Sequence, residues 1–358
     1  MHWNHILKAS VAMMAMAGCI SAQAGSNGVT VQLAAEKRAL DKNDDVVVKV
    51  TITNTSATPQ YLLKWHTPFG EIEESLFEIT RDGVKVDYEG AHYKRPAPTA
   101  SDYYVLKPGA SHSMKVELSS LYNMSVTGEY AIRYKAKSMD LFAKDPAARS
   151  AAASKKEIGE IESDAVNLWI DGRLARGTTV AKAAPPAPSA GSLSFTKCTA
   201  SQQATVTSAM AAGSSMAANS DAYMASGTPG ARYNKWFGVN DATRIAKVKT
   251  NFSKIKAAFT DQPVTVDCGC KKTYYAYVYP NHPYKIFVCK AFWSAPMTGT
   301  DSKGGTLVHE MSHFTVVAGT DDWVYGQSGA AALAISDPNK AVDNADSHEY
   351  FGENTPAL

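Results

Sequence analysis

The stretch TLVHEMSHFT (306–315) decides how this chain reads, because it sets His309 and His313 four residues apart with Glu310 directly after the first. On a helix, residues four apart share a face one turn apart, so both imidazoles can reach one metal ion. Glu310 is displaced around the helix, where its carboxylate can hold a water at that metal without ligating it. A site with an open position needs three protein ligands, so a third has to come from elsewhere. A histidine six residues past His313 is ruled out, since Gly319 stands there, and no glutamate occurs between Phe314 and His348. The chain instead continues into GTDDWVYG (319–326). Gly319 lets the helix end in a left-handed turn.

Around this segment the apolar spacing is mixed. SQQATVTSAMAA (201–212) and DATRIAKVKTNFSKIKAAF (241–259) repeat at three and four residues, as amphipathic helices do, whereas YYAYVY (274–279) and YKIFVC (284–289) read as two strands of a small sheet. Residues 193–358 therefore read as an α+β domain. Residues 25–136 differ: short runs such as VVVKVTITN (46–54) and EYAIRYKA (129–136) alternate apolar and polar between turn signals such as Arg81-Asp82-Gly83. That spacing predicts an all-β, immunoglobulin-like sandwich, with no clustered His, Cys or paired carboxylates to give it a chemistry. Residues 137–192 are rich in Ala, Ser and Lys and end in AKAAPPAPSAGS (181–192), which reads as a protease-accessible linker.

With 358 residues the chain is long enough for two domains. Lys+Arg 36 against Asp+Glu 34 leaves a net charge of +2, so no bulk electrostatic case exists for nucleic acid or an anionic membrane. His2, His5 and Lys8 precede an apolar run that ends in Ser21-Ala22-Gln23-Ala24, the pattern of a cleavable secretory signal over residues 1–24. Met16-Ala17-Gly18-Cys19 is the competing reading, a lipoprotein box acylated at Cys19. The apolar run is too short to span a bilayer, and an exported product without a membrane span is expected. Removing the signal takes Cys19 with it and leaves Cys198, Cys268, Cys270 and Cys289, an even number that suggests two disulfides. A bridge between Cys268 and Cys270 is disfavoured by geometry, and a zinc knuckle has only His282 to complete it.

HExxH followed by GTDDWVYG resembles the signature of the aspzincins, the deuterolysin and peptidyl-Lys metalloendopeptidase family. RYNKWFG (232–238), the four cysteines and NADSHEYF (344–351) extend the resemblance over most of 195–354. It implies a zincin-like, mostly helical catalytic domain with a small sheet, and one Zn²⁺ held by His309, His313 and Asp322, a carboxylate that the chain can return to the metal after the turn at Gly319, with Asp321 the rival by proximity. Glu310 is then the general base and Tyr325 the hydrogen-bond donor to the developing oxyanion. It also implies disulfides Cys198–Cys268 and Cys270–Cys289, and a pocket for the lysine after the cut formed by Asp346 and Glu349. Two carboxylates one helical turn apart do make a site suited to one ammonium. His348, between them, reads as a bystander.

The resulting expectation is a secreted, monomeric zinc metalloendopeptidase acting on proteins or peptides, preferring Lys or Arg on the C-terminal side of the cut. Its substrate is expected to add as a strand along the edge of the small sheet at 274–279. The N-terminal domain is expected to serve as an intramolecular inhibitor or chaperone in a zymogen. Ala181-Lys182, Ser154-Lys155 and Lys155-Lys156 are the candidate maturation sites. The contrasting expectation, a secreted binding or adhesion protein with a structural zinc closed by His348 or Asp321, leaves Glu310 and Tyr325 without a purpose.

Overall fold

A computed structural model describes residues 26–143, 157–172, 191–227 and 229–358. The signal segment 1–24 with Cys19, and the three candidate maturation sites, lie outside the described residues. The N-terminal half is built from β1 (Val29–Ala35), β2 (Ala39–Leu40), β3 (Val47–Asn54), β4 (Gln60–Leu63), β5 (Phe77–Arg81), β6 (Val84–Val86), β7 (His92–Lys94), β8 (Tyr103–Leu106), β9 (Ser111–Glu117), β10 (Gly128–Ser138), β11 (Phe142–Ala143), β12 (Gly159–Glu162) and β13 (Val166–Ile170). The alternation read in 46–54 is the burial pattern of β3, which faces Val48, Val50 and Ile52 inward. β1-β3-β9 form one sheet, and β2-β13-β10-β5-β6 a second. Val29, Val50 and Ile52 from the first meet Phe77, Ile79 and Ile132 from the second in one apolar core.

The linker expected over 137–192 is shorter than its composition suggested. β12 and β13 lie inside that range and pair antiparallel with β10, so the β domain runs on to Ile170. Ile161, Leu168 and Ile170 are buried, and this apolar content overrides the Ala- and Lys-rich surroundings.

The second half comprises β14 (Leu193–Thr196), α1 (Ala200–Ala225), α2 (Ala231–Phe237), α3 (Ala242–Asp261), β15 (Val264–Asp267), β16 (Ala276–Val278), β17 (Lys285–Val288), α4 (Lys290–Ser294), α5 (Lys303–His313), α6 (Gln327–Ser336), α7 (Pro338–Ala341) and α8 (Ala345–Glu353). Its helices close on a core that includes Trp236, Phe252, Leu307, Met311 and Phe351. Cys198–Cys268 and Cys270–Cys289 are both formed, with Cα separations of 4.9 and 4.7 Å. The RYNKWFG stretch is α2 with its capping Gly238. Arg232, buried in it, donates from Nε to the Phe351 carbonyl at 2.8 Å and from Nη1 to Asn219 at 2.7 Å. This ties α8 to α1.

The halves share a sheet. Its order is β14-β15-β17-β16-β7, so the last strand comes from the N-terminal domain and pairs antiparallel with β16. A small cluster of Met139 with Val324, Leu333, Ala334 and Ala341 forms a second apolar contact between them. No described helix is long and apolar enough to cross a membrane.

Candidate metal centre and its cleft

Helix α5, which carries the HExxH stretch, is buried along its whole length. Ser302 caps it, its Oγ accepting from Gly305 N at 2.9 Å, and Glu353 at the end of α8 accepts from Ser302 N at 2.8 Å and Oγ at 2.7 Å. Gly304 lets α1 approach closely, since a Cβ there would meet Ala212 Cβ at 3.0 Å and Gly213 N at 3.1 Å. The helix stops at His313, and Gly319, at φ +58°, turns the chain back. Thr320 then accepts from His313 Nδ1 through its carbonyl at 2.8 Å, which leaves Nε2 bare.

Three donors converge. His309 Nε2 and His313 Nε2 are 3.1 Å apart, and Asp322 Oδ1 and Oδ2 lie 3.4 Å from His309 and His313 respectively. Metal–ligand bonds of about 2.0–2.1 Å in a tetrahedron put neighbouring ligand atoms roughly 3.3 Å apart, so the three separations fit one tetrahedral face. The chemistry of the donors fits too, since neither oxygen of Asp322 nor of Glu310 has a hydrogen-bond partner although all are buried. His309 Nδ1 lies 2.9 Å from Asp346 Oδ1, an arrangement that keeps the proton on Nδ1 and the Nε2 lone pair toward the metal position. Burial resists ionisation of Asp322, but the two imidazoles hold its carboxyl below the usual range. Burial pushes Glu310 up to about 7.

Asp321, the rival ligand, turns away, and its Oδ1 lies 3.8 Å from His92 Nδ1. His348 is held by Asn251 Nδ2 at Nε2 and donates from Nδ1 to the Asn344 carbonyl, both at 3.0 Å, so it does not join the donors.

The N-terminal domain, read from sequence as chemically silent, fills the cleft beside these residues. In β7, Tyr93 lies opposite Tyr277 and Lys94 opposite Ala276, and the Lys94 carbonyl accepts from Tyr275 N at 3.0 Å. Lys94 Nζ sits 2.5 Å from Glu349 Oε2, 3.4 Å from Asp346 Oδ1 and 3.6 Å from Asp301 Oδ1, with the rings of Tyr275 and Tyr350 at 5.1 and 5.7 Å. Burial alone would discharge this lysine, yet Asp346 and Glu349 outweigh it and raise its pKa well above normal. One residue back, the Tyr93 carbonyl accepts from Tyr325 Oη at 2.9 Å. Burial also raises Tyr325 well above the usual phenol range, so it remains a donor. Arg95 comes next, buried against Glu73 and Glu74 of its own domain and donating to Tyr325 Oη at 3.0 Å.

The geometry thus brings His309, Glu310, His313, Asp322, Tyr325, Asp346 and Glu349 into one cleft. Sequence reasoning missed Lys94, Arg95 and Asp301. Asp301 stands just before the α5 cap, where an acid reads as helix-end chemistry, and nothing local marks Lys94.

A family profile described as aspzincin, lysine-specific metallo-endopeptidase, matches residues 222–353. An extracellular protease of Aeromonas hydrophila is 47% identical over 98% of this chain and 99% of its own length. A peptidyl-Lys metalloendopeptidase of Armillaria mellea is 36% identical over 95% of this chain and 96% of its own. Among solved structures, a zinc peptidase from Grifola frondosa is 43% identical and covers 45% of this chain and 99% of that one, with a TM-score of 0.43.

Proposed function

The chain belongs to the aspzincin family and is a metalloendopeptidase, and we propose that it is a secreted zinc enzyme, made as a latent precursor, that cuts peptide bonds before lysine. The observation that carries the reading is Lys94: an ammonium with no exposure to solvent, on a strand added antiparallel to β16, between Asp346 and Glu349. This is the pose a substrate lysine takes by strand addition. Buried acids of this kind are stable with a cation between them and costly without one, which favours lysine over an uncharged residue.

In this reading His309, His313 and Asp322 hold one Zn²⁺, which when bound supplies a Lewis acid and a water of lowered pKa. Glu310, with both oxygens free of partners, accepts the proton of the attacking water and returns it to the leaving amine. Tyr325 donates to the carbonyl oxygen of the scissile bond, as it does to that of Tyr93, and stabilises charge building there. Asp346 both orients His309 and receives the substrate ammonium, with Glu349 beside it. Asp301, 3.6 Å from Lys94, adds a third carboxylate.

The N-terminal domain, immunoglobulin-like in its strand spacing, acts as the intramolecular inhibitor. Its own residues 92–95 cover the cleft, and Glu73 and Glu74 hold Arg95 so that the strand does not leave as a product would. Export is supported by the disulfides and by the likeness to a protease named extracellular.

Mass-spectrometric mapping of cuts in casein tests the reading, using the processed wild type beside Glu310→Ala and a chelator control. Cuts before lysine that disappear in both controls are expected. Cuts without lysine bias would remove Asp346 and Glu349 as the specificity pair.

A further inference from the structure

Successive side chains of a strand point to opposite faces, so with Lys94 directed at Asp346 and Glu349, Tyr93 projects to the other side of the sheet. There it is half-buried among other rings. Its ring lies 5.2 Å from that of Tyr277, its cross-strand partner, and 5.4 Å from that of Tyr274 at an interplanar angle of 70°. Tyr277 in turn stacks on Phe287 at 4.5 Å and 3°, and Tyr279 meets both edge-on at 5.9 Å. These rings form a continuous aromatic ladder across β17, β16 and β7, of which only the last rung belongs to the N-terminal domain. Tyr325, by donating to the Tyr93 carbonyl, identifies Tyr93 as the residue standing before the scissile position.

We propose that Tyr274 and Tyr277 form the pocket for the residue before the cut, and that they select an aromatic side chain there. The proposal rests on Lys94 standing in for the substrate lysine. When the N-terminal domain leaves, its rung of the ladder leaves with it, and an aromatic side chain preceding a lysine restores it. Offset and edge-to-face aromatic pairs favour the aromatic ligand by about 2- to 12-fold over one that offers no ring. The substrate class is thereby narrowed from peptides containing lysine to those carrying an aromatic–lysine pair.

The test uses enzyme activated from the full chain and peptides identical except for Tyr, Phe or Ser directly before a single lysine. For Tyr and Phe, kcat/KM is expected to exceed that for Ser by about 3- to 10-fold. Tyr277→Ala is expected to shrink the Tyr-to-Ser ratio below about twofold, a change that a merely structural loss, scaling all three peptides together, does not produce. Equal kcat/KM for the three peptides with the wild type overturns the pocket while leaving the lysine reading intact, and needs no variant to fold. Failure to cut any of them before lysine overturns the lysine reading and this proposal with it.

Discussion

Two buried clusters of charge lie side by side in this cleft, and they are satisfied in opposite ways. At His309, His313 and Asp322 the donors converge at tetrahedral spacing, and the nearby carboxylates have no hydrogen-bond partner in the protein. At Asp346, Glu349 and Asp301 a cation is supplied from the chain itself, by a lysine more than 200 residues earlier. The first cluster describes its ligand only by donor chemistry and spacing. In the proposed reading the second carries a sample of its ligand, and for that reason speaks to specificity as well as to binding.

The contrast breaks most visibly at Glu310. Glu310→Gln is expected to lower kcat by about 10²- to 10⁴-fold while zinc content, measured by elemental analysis, stays at the wild-type value. A parallel loss of zinc would make Glu310 part of the donor set and blur the distinction between the clusters. In the second cluster, Lys94→Ala strands two buried carboxylates, a loss of about 3–5 kcal/mol. It is expected as a lower unfolding midpoint of the full chain and faster appearance of activity. Lys94→Arg should not restore latency, because a planar guanidinium does not replace a compact ammonium in a closed pocket.

A smaller effect separates His348 from its acidic neighbours. Burial lowers its pKa to about 4, against about 6.5 in an unfolded chain. Between those values the unfolded state binds more protons, so the contribution of His348 is complete above about pH 6.5 and is lost as pH falls toward 4, to a total of about 3 kcal/mol. Thermal unfolding followed from pH 7 to 4 should therefore fall less steeply in His348→Gln than in the wild type. Smallest is the helix cap: Ser302→Ala is expected to cost about 1 kcal/mol by chemical denaturation. Both clusters should then loosen together, since α5 supplies two donors to one and His309 touches the other.

How much of this was legible in the sequence depends on the range of each contact. The α5 segment was readable because its chemistry lies within one turn and a half of helix, and the disulfides and Asp322 came from a resemblance that spans the domain. The alternation of β3 was readable for the same local reason. β12 and β13 were hidden by an Ala- and Lys-rich setting, although Val166, Leu168 and Ile170 alternate along β13. Lys94 and Tyr93 acquire their meaning only from a strand pairing between residues 93–94 and 276–277, a register that no local pattern encodes. Sequence reading named the groups that converge in the cleft and, in the same pass, missed the strand that lies against them.

The covering strand has one more consequence. It is not a chain end but an internal segment, the edge strand of the shared sheet, and its domain has its own core and is anchored again through Met139 and Trp323. A tail can be trimmed away residue by residue, whereas a folded plug departs whole or not at all. If the domain is the inhibitor proposed above, severing the linker converts a tethered inhibitor into a free one without uncovering the cleft. Activity then obeys mass action, with concentrated enzyme staying silent after the cut and waking on dilution.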